Sequence, residues 1–549
     1  MGINNTAYEQ LRDRYDAIGD PVGDLTSMLS AAAEDRPDRT AVGVGNESLS
    51  YIELERQATR IAAGLSDLGV KPGDRVAFLA AGSLEMVVAF FATWKLGAII
   101  VPLNAFLKGE PLRHQLSDSG ARVVVADDLG LTTVLPILDA LPDVQNLVRI
   151  GCDPSTRASL GGVACIDFSA LSSDPSSAFE PVRMDLPACL MYTSGTTGLP
   201  KACILSHRYL HHLGRQCAAA FALQQDDIFY SVSPLYHLTS ILPLMASLIH
   251  RRTIHFDVKF SASRFLDRCR ELDATVLLGV GFYAIGLLRQ PPSERDKDHA
   301  LRVMVLAPLP EEERVQFESR FGVPLINQTY GQTEMSMVTV NPIGMSRDGT
   351  AGMIAPWAEL AIFDELDQEV GTDVVGQIAL RPRKPGTMFD GYWNRPDATA
   401  AISKNMWHHT GDYGRVDADG YLTFVGRKSD RMRRRGENVS AYELEAAIVT
   451  HPQISEVAVH AIHMDDEIDD TIKVHIVPVL NADLQPESLA EFFTSQLPYF
   501  AIPRFVQIAP LLPRNTSGRI LKHILAEQAN DESTWDLELL GLASAKRRG

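Results

Sequence analysis

The chain has 549 residues, of which 45% are hydrophobic and 22% are charged, as is usual for a globular protein with more than one domain. Its formal net charge of −18 argues against general binding of nucleic acids and against docking on anionic lipid. The six cysteines lack CxxC spacing, which favours free thiols in a reducing compartment. The first residues lack the apolar core of a signal peptide, so we expect a cytoplasmic protein.

Helix and strand patterns alternate through the first three-quarters of the chain, which predicts an α/β architecture with largely parallel sheets. The apolar stretch from Leu84 to Leu103 contains Glu85 and Lys95 and is broken by Gly97 and Pro102, so it predicts a buried helix and strand and no membrane span. The predicted elements are a helix at 51–68, a strand at 75–80, a helix at 84–96 and strands at 98–101, 122–126, 275–280 and 303–307.

A hydroxyl- and glycine-rich loop follows the apolar run Ala188 to Met191, which predicts a buried strand before the loop. Glycine lets backbone N–H groups turn toward a phosphate, hydroxyls add donors, and a lysine adds a point charge. The loop consists of Thr193, Ser194, Gly195, Thr196, Thr197, Gly198, Leu199, Pro200 and Lys201. It predicts a polyphosphate site, although it is not a Walker A loop. The alternative is a solvated linker.

The last quarter of the chain predicts a separate domain. A more β-rich pattern, with strands predicted at 359–363 and 376–380, precedes a boundary near Lys428 to Asp430. A basic run from Arg431 to Arg435 follows, for which a solvated helix face and a nuclear localisation signal are the alternatives. A helix at 441–449 and strands at 457–462 and 472–477 come next. We therefore predict domains at 1–428 and 429–549.

Four motifs in this order resemble those of adenylate-forming enzymes, which include acyl- and aryl-CoA ligases, peptide-synthetase adenylation domains and beetle luciferases. The resemblance covers nearly the whole chain. The motifs are the loop Thr193 to Lys201, the run YGQTE from Tyr330 to Glu334, Trp407 with Thr410-Gly411-Asp412 and Gly426-Arg427, and PRNTSGRILK from Pro513 to Lys522. The run RRRGEN from Arg433 to Asn438 is similar to CoA ligases of the carnitine/crotonobetaine type.

The resemblance implies a fold and a reaction. The fold is a large N-terminal domain of two α/β lobes plus a β subdomain, followed by a small mobile α+β C-terminal domain. In the reaction, a carboxylate attacks the α-phosphate of ATP to give an acyl-adenylate and pyrophosphate, and a nucleophile, usually the CoA thiol, then displaces AMP. Rotation of the C-terminal domain about Ser429 or Asp430 would bring the region of Gly436 to the adenylate.

The resemblance also implies roles for residues at the nucleotide. The Thr193–Lys201 loop would hold the β- and γ-phosphates, and Glu334 would bind Mg²⁺, with a surface carboxylate as the alternative. Asp412 would accept hydrogen bonds from the ribose, with a turn aspartate as the alternative. Arg427 would contact ribose or phosphate. Tyr330, beside Gly331 and Thr333, would stack on adenine or belong to the core.

Other residues are expected at the acid, and two of the positions depart from the family pattern. Tyr236, His237, Phe282, Leu306 and Ala307 are predicted to form the acid pocket, although an ordinary core histidine is the alternative for His237. In the fourth motif Arg519 stands where a lysine is usual, and Lys522 could partly substitute for it. The other departure is at Leu306-Ala307-Pro308, where many relatives have Gly-Gly before Ala-Pro, and bulkier side chains there would shorten the pocket.

The function predicted first is an AMP-forming acid–CoA ligase that uses ATP, Mg²⁺ and CoA on a small organic acid. Arg519 and the altered 306–308 region leave open an adenylating relative with an unusual acid or acceptor, such as an ATP-dependent diazotase that activates nitrite for an aromatic amine. A nucleotide-binding pseudo-enzyme is the third interpretation. No nucleic acid and no membrane span are expected, and the oligomeric state stays open, with a homodimer as one option.

Overall fold

The computed structural model describes the chain in segments, and every structural statement below concerns these residues. They are residues 5–21, 23–151, 158–160, 163–175, 178–193, 199–364, 366–427, 431–435, 437–462, 464, 469–480, 482–513, 520, 522–526, 530–531 and 533–542.

Helices and strands follow one another along the described segments. The helices are α1 (Asn5–Ile18), α2 (Leu25–Asp35), α3 (Tyr51–Asp67), α4 (Leu84–Lys95), α5 (Gly109–Ser119), α6 (Asp128–Val134), α7 (His207–Ala220), α8 (Leu238–His250), α9 (Phe265–Glu271), α10 (Gly281–Leu288), α11 (Glu311–Phe321), α12 (Pro396–Ile402), α13 (Ala441–Ile448), α14 (Pro486–Gln496) and α15 (Lys522–Ala526). Short 3₁₀ helices cover Leu135–Ala140, Phe168–Leu171 and Tyr499–Ala501.

The strands are β1 (Thr40–Val44), β2 (Glu47–Ser50), β3 (Arg75–Leu79), β4 (Ile99–Pro102), β5 (Val123–Ala126), β6 (Asn146–Arg149), β7 (Ala158–Leu160), β8 (Val163–Asp167), β9 (Pro187–Thr193), β10 (Lys201–Ser206), β11 (Ile228–Ser231), β12 (Thr253–Phe256), β13 (Val276–Gly279), β14 (Val303–Leu306), β15 (Leu325–Ile326), β16 (Thr329–Gln332), β17 (Met335–Val340), β18 (Met353–Ile354), β19 (Ala358–Phe363), β20 (Gly376–Pro382), β21 (Ser403–Lys404), β22 (Trp407–Val416), β23 (Leu422–Arg427), β24 (Arg431–Arg434), β25 (Glu437–Ser440), β26 (Ile454–Ile462), β27 (Thr471–Pro478), β28 (Phe505–Ile508) and β29 (Thr534–Asp536).

Two large, mainly parallel sheets form the N-terminal part of the described chain. One has the order β15-β14-β13-β11-β12-β1-β2, with an antiparallel pair only at β1–β2. The other has the order β10-β9-β4-β3-β5-β6-β8-β7, with antiparallel pairs at β9–β10 and β7–β8. Residues of both sheets and of α4, α7 and α8 share one apolar core. The predicted α/β class is confirmed.

Strands that are buried on both faces of a sheet consist of continuous apolar runs, which is why they could be predicted. All four residues of β4, β5, β13 and β14 are buried, as the runs around residues 99–102, 123–126, 276–279 and 303–306 indicate. Helix α4 is buried along almost its whole length and is capped by Ser83, whose hydroxyl accepts from the N–H of Met86. The predicted helix at 84–96 is thus a core helix.

An antiparallel β subdomain follows the two sheets. Its strands have the order β19-β20-β22-β21, and β23 pairs with β22. The register of β22 and β23 places the backbone of Arg427 opposite Asp412. This pairing explains why two parts of the third motif, separated along the chain, belong to one structural unit.

The C-terminal residues build a smaller unit with its own apolar core, which confirms the predicted division into a large and a small domain. Its sheet has the order β26-β27-β28-β29, and β24 and β25 form a separate hairpin. The run Arg431–Arg434 is a strand, so the alternative of a helix face is wrong. Residues 428–430 lie outside the described residues, and the boundary at 428 stays a prediction.

None of the described helices is long and apolar enough to cross a membrane.

Candidate active site

A cavity of about 900 Å³ lies between the N-terminal sheets, the YGQTE run and the C-terminal unit. It brings together eight of the residues predicted for the site. These are Thr193, Tyr236, His237, Phe282, Ala307, Gly331, Thr333 and Glu334. Residues of the predicted phosphate site and of the predicted acid pocket therefore share one cavity.

The predicted phosphate loop closes the β9–β10 hairpin. Thr193 is opposite Lys201 in the register of the two strands, and the Thr193 hydroxyl donates to the Lys201 carbonyl at 3.4 Å. The hairpin thus fixes both ends of the loop. Lys201 Nζ lies 5.3 Å from the centre of the Tyr392 ring, within the range of a cation–π contact. Ser194, Gly195, Thr196, Thr197 and Gly198 lie outside the described residues.

Glu334 places a carboxylate at the wall of the cavity beside this hairpin. The side chain is largely buried, and its Oε1 accepts a hydrogen bond from the Tyr392 hydroxyl at 2.6 Å. Tyr392 therefore connects Glu334, which its hydroxyl contacts, with Lys201, which lies over its ring. Among the described residues, no group of three or more His, Cys, Asp or Glu side chains could hold a metal ion. Mg²⁺ bound to substrate phosphates needs only one or two protein carboxylates, so Glu334 fits such an ion.

Tyr330 and Asp412 form a hydrogen-bonded cluster beside the cavity. The Tyr330 hydroxyl and Gln332 Nε2 each donate to Asp412 Oδ2 at 2.8 Å. Gln332 lines the cavity, whereas Asp412 and Tyr330 do not. In this structure Asp412 orients the YGQTE run, and its predicted contact with ribose stays a prediction. Only the backbone of Arg427 is described.

Gly331 has to be glycine because the backbone comes close at this point. A Cβ on Gly331 would lie 2.0 Å from the carbonyl oxygen of Ser336, in the neighbouring strand β17. Contacts below 3.0 Å do not occur for real Cβ atoms. The glycine of the YGQTE run therefore allows β16 and β17 to pair beside Glu334.

His237 and Tyr236 contact the C-terminal unit. His237 Nε2 and Glu437 Oε2 are 2.7 Å apart, and the Tyr236 hydroxyl donates to Glu437 Oε1 at 3.4 Å. Burial lowers the pKa of His237, but the charge of Glu437 and its hydrogen bond outweigh burial, so the pKa is raised. A protonated His237 therefore forms an ion pair with a residue of β25 at the mouth of the acid pocket.

The acid pocket lies at the carboxyl ends of the parallel strands β11, β13 and β14, where open α/β sheets usually bind ligands. Phe282 and Ala307 line it, as predicted. The prediction for Leu306 needs correction: this side chain is fully buried and does not line the cavity. Successive side chains of a strand point to opposite faces, so Val305 and Ala307 face the cavity while Leu306 packs in the core.

Lys522 lies away from the cavity in this arrangement. Its Nζ is 2.7 Å from Glu445 Oε1, on helix α13, and it does not line the cavity. Arg519, Ser429, Asp430 and Gly436 lie outside the described residues. Among the described residues of the C-terminal unit, the cationic ones in the cavity wall are Arg433 and Arg435. The guanidinium of Arg435 lies 5.8 Å from the ring centre of Tyr499, another lining residue.

Comparison with known proteins decides the family. A family model described as AMP-binding enzyme matches residues 29–393, and one described as AMP-binding enzyme C-terminal domain matches residues 443–519. The chain belongs to the AMP-binding enzyme family. The resemblance to adenylate-forming enzymes is confirmed, and the two matches follow the order of the large and the small unit.

Curated and solved members of the AMP-binding enzyme family are similar to the chain over most of its length. The crotonobetaine/carnitine–CoA ligase of Proteus mirabilis is 31% identical over 525 residues, which cover 94% of this chain and 98% of that protein. A double mutant of o-succinylbenzoate CoA synthetase from Bacillus subtilis, bound with its product analogue OSB-NCoA, is 25% identical and covers 93% of this chain and 99% of its own, with a TM-score of 0.79. The complex of that Bacillus enzyme with AMP, also 25% identical, covers 92% and 99%, with a TM-score of 0.66.

Sequence reasoning missed four residues that shape the site of this AMP-binding enzyme. Tyr392 follows Gly391 in a loop that carries no motif that we used. Glu437 belongs to the RRRGEN run, but its contact with His237 joins residues 200 positions apart. Gln332 lies inside the YGQTE run, so its position was a usable signal. Tyr283 lies in the first turn of α10, four residues after Gly279 at the end of β13. This spacing was the signal that could have placed Tyr283 beside the glycine, and we did not use it.

Proposed function

We propose that this member of the AMP-binding enzyme family is an acid–CoA ligase. It activates a small organic acid with ATP as an acyl-adenylate, releases pyrophosphate and transfers the acyl group to CoA. The names of the crotonobetaine/carnitine–CoA ligase and of the o-succinylbenzoate CoA synthetase support this reaction. The observation that carries the proposal is the single cavity, in which Thr193 and Glu334 lie at one part of the wall and the apolar acid pocket at another.

In the first half-reaction a carboxylate oxygen of the acid attacks the α-phosphorus and pyrophosphate leaves. Such in-line displacement needs positioning and neutralisation of charge, not a covalent intermediate with the protein. The Thr193–Lys201 loop would bind the β- and γ-phosphates, and Lys201 would add positive charge. Arg519 would neutralise charge at the reacting carboxylate and α-phosphate. Glu334 would hold Mg²⁺, which screens the phosphates when it is bound.

In the second half-reaction the CoA thiol loses its proton to solvent, its sulfur attacks the acyl carbon, and AMP leaves with the electrons of the broken acyl–oxygen bond. The C-terminal unit would first rotate about Ser429 or Asp430, at the proposed domain boundary. The higher TM-score to the OSB-NCoA complex than to the AMP complex supports an arrangement of the described residues close to that of thioester formation. The contact of Glu437 with His237, and the pairing of Lys522 with Glu445 outside the cavity wall, support the same assignment.

The cationic residues at the cavity mouth would serve the acceptor. Arg433 and Arg435 line the cavity from the C-terminal unit, and Lys108 lines it from the N-terminal part. A nucleotide phosphate carries a high negative charge, so these side chains suit an acceptor such as CoA. We place the enzyme in the cytoplasm, as its scattered free thiols favour.

Pyrophosphate release from ATP and Mg²⁺ tests the proposal. The purified protein is given a panel of carboxylic acids with and without CoA, and nitrite with aromatic amines in separate reactions. We expect pyrophosphate with at least one carboxylic acid and an equal amount of thioester when CoA is present. Turnover only with nitrite and an arylamine would favour the diazotase alternative. No pyrophosphate with any partner would contradict an adenylate-forming activity.

A further inference from the structure

The part of the acid-pocket wall that the described residues 232–308 form contains no fixed charge. Between residues 232 and 308, none of the residues that line the cavity is Lys, Arg, Asp or Glu. Most are apolar or aromatic, and His237 at the mouth is paired with Glu437. A second carboxylate or another charged group at the far end of the acid would thus lose its hydration without gaining a partner, which is costly.

Tyr283 is a buried residue of this pocket wall. It lies in the first turn of α10, where it lines the cavity with only 8% of its surface exposed. Its ring packs on Gly279 at the end of β13: a Cβ at that position would lie 2.7 Å from Cδ2 and 2.9 Å from Cε2 of Tyr283. The tyrosine ring therefore occupies the space that any other residue at 279 would need for its side chain.

Two further contacts fix the orientation of the tyrosine ring. It is stacked on Phe260, with ring centres 4.5 Å apart and an angle of 25° between the planes. Its hydroxyl donates to the carbonyl of Val232, just after β11, at 3.4 Å. Three separate parts of the chain thus hold the side chain, and such a constrained ring cannot turn aside without breaking these contacts.

The space behind the ring is packed protein. Leu306 lies beside Gly279 in the β13–β14 register, and a Cβ on Gly279 would be 3.1 Å from its Cδ2. Leu306, Leu287 and Leu309 are buried in the same apolar cluster as Tyr283. The side of the ring that faces Gly279 is therefore filled by protein and offers no space for a ligand.

We propose that Tyr283 sets the depth of the acid pocket and that the substrate is a monocarboxylic acid with a short, uncharged far end. Benzoate and short branched aliphatic acids have this shape. This inference rests on the proposed ligase function. The sequence alone suggested that Leu306 shortens the acid pocket. In this inference Tyr283 has that role.

The test compares kcat/KM for pyrophosphate release with benzoate, 2-methylbutyrate, octanoate, adipate and carnitine. We expect the wild-type protein to use benzoate or 2-methylbutyrate at least about 100-fold better than octanoate, since each excess methylene group in a closed pocket costs roughly 10-fold or more. Tyr283→Ala should raise the octanoate-to-benzoate ratio by at least about 10-fold. The control Tyr283→Phe keeps the ring and its stacking on Phe260 and loses only the hydroxyl contact with Val232, so it should change this ratio far less than Tyr283→Ala.

Gly279→Ala supplies a second variant in case Tyr283→Ala does not fold. Its Cβ pushes the ring toward the cavity, so KM for benzoate should rise relative to that for acetate, which needs less depth. A folded Tyr283→Ala protein with an unchanged ratio, or an unchanged benzoate KM in Gly279→Ala, overturns the role of Tyr283. Preference of the wild type for octanoate, adipate or carnitine overturns the substrate class. Absence of pyrophosphate with every acid overturns the ligase function itself and this inference with it.

Discussion

At the scale of single residues, Glu334 and Tyr392 show how one contact prepares the site. The tyrosine hydroxyl donates to one carboxylate oxygen of Glu334, and the face of its ring lies toward the Lys201 ammonium group. The same ring thus keeps an anion and a cation at a fixed separation beside the phosphate loop. A rigid arrangement of this kind is what neutralisation of a polyphosphate requires, because no reorganisation is needed when the substrate binds.

Replacement of Glu334 tests the proposed Mg²⁺ ligand. Glu334→Gln keeps the size of the side chain and an oxygen acceptor for Tyr392 but removes the charge. We expect kcat for pyrophosphate release to fall by about 100-fold and the Mg²⁺ concentration for half-maximal rate to rise. Tyr392→Phe is the matched control: it removes the hydrogen bond and keeps the carboxylate, so the Mg²⁺ requirement should change little. An unchanged Mg²⁺ requirement in Glu334→Gln would contradict the assignment.

The His237–Glu437 pair gives a prediction on pH. The pKa of His237 is raised in this arrangement. The ion pair therefore stabilises the arrangement fully at pH values below the ordinary histidine pKa, and this stabilisation is lost as the pH rises through the raised pKa. A charged hydrogen bond is stronger than a neutral one by roughly 1 kcal/mol. We compare the rate of thioester formation from the adenylate in the wild type with that in Glu437→Gln. The ratio of the wild-type rate to the variant rate should fall by about fivefold from low to high pH.

Single-turnover reactions of preformed adenylate with CoA measure this ratio. Taking the ratio at each pH cancels the ionisation of the CoA thiol, which both proteins share. Tyr236→Phe is the control, since it removes the weaker contact with Glu437 and keeps the ion pair. A ratio independent of pH would show that the pair does not support the transfer step.

At the scale of elements, helix α4 is buried although it ends in a lysine. The Lys95 ammonium is 2.7 Å from Glu55 Oε1 on α3, and the Ser30 hydroxyl of α2 donates to the same oxygen at 3.0 Å. The exposed fractions of the two charged side chains are only 8% and 20%. Three helices thus meet at one ion pair, whose partners compensate each other's loss of hydration.

Removal of one partner of this pair should cost more than removal of both. We expect Lys95→Met to lower the free energy of unfolding by about 3 kcal/mol, because Glu55 is left buried without its counter-ion. The double variant Lys95→Met with Glu55→Leu should be close to wild type. Denaturant unfolding of the two single variants and the double variant measures the coupling. Additive losses would contradict an interaction between the two side chains.

Predictability differed between elements for physical reasons. The strands around residues 75–79, 99–102 and 303–306 were predicted to within a residue or two, because burial on both faces demands a continuous apolar run. It was harder to predict which side chains of a strand face the cavity. Leu306 was predicted to lie in the acid pocket, but side chains alternate along β14 and that of Leu306 points into the core. Tyr283 lines the acid pocket instead of Leu306, and this could be seen only from the packing of α10 against β13.

At the scale of the whole molecule, the C-terminal unit completes the cavity. Glu437 reaches His237, and Phe106 of the N-terminal part packs against Tyr499, with ring centres 5.1 Å apart. Such contacts join positions hundreds of residues apart, so no periodicity in the sequence could predict them. The motif order predicted that both units serve one reaction. It did not predict which side chains meet.

Rotation of the C-terminal unit between half-reactions gives the last prediction, which concerns Asp430. Proline fixes φ near −65° and removes the N–H group, so Asp430→Pro restricts the torsion change that the proposed hinge has to make. We expect thioester formation to slow by at least about 10-fold, while adenylate formation changes much less. Asp430→Ala is the control, because it removes the carboxylate but leaves the backbone free to rotate. Rapid-quench measurement of the two half-reactions separates them, and equal losses in both would argue against a hinge at this residue.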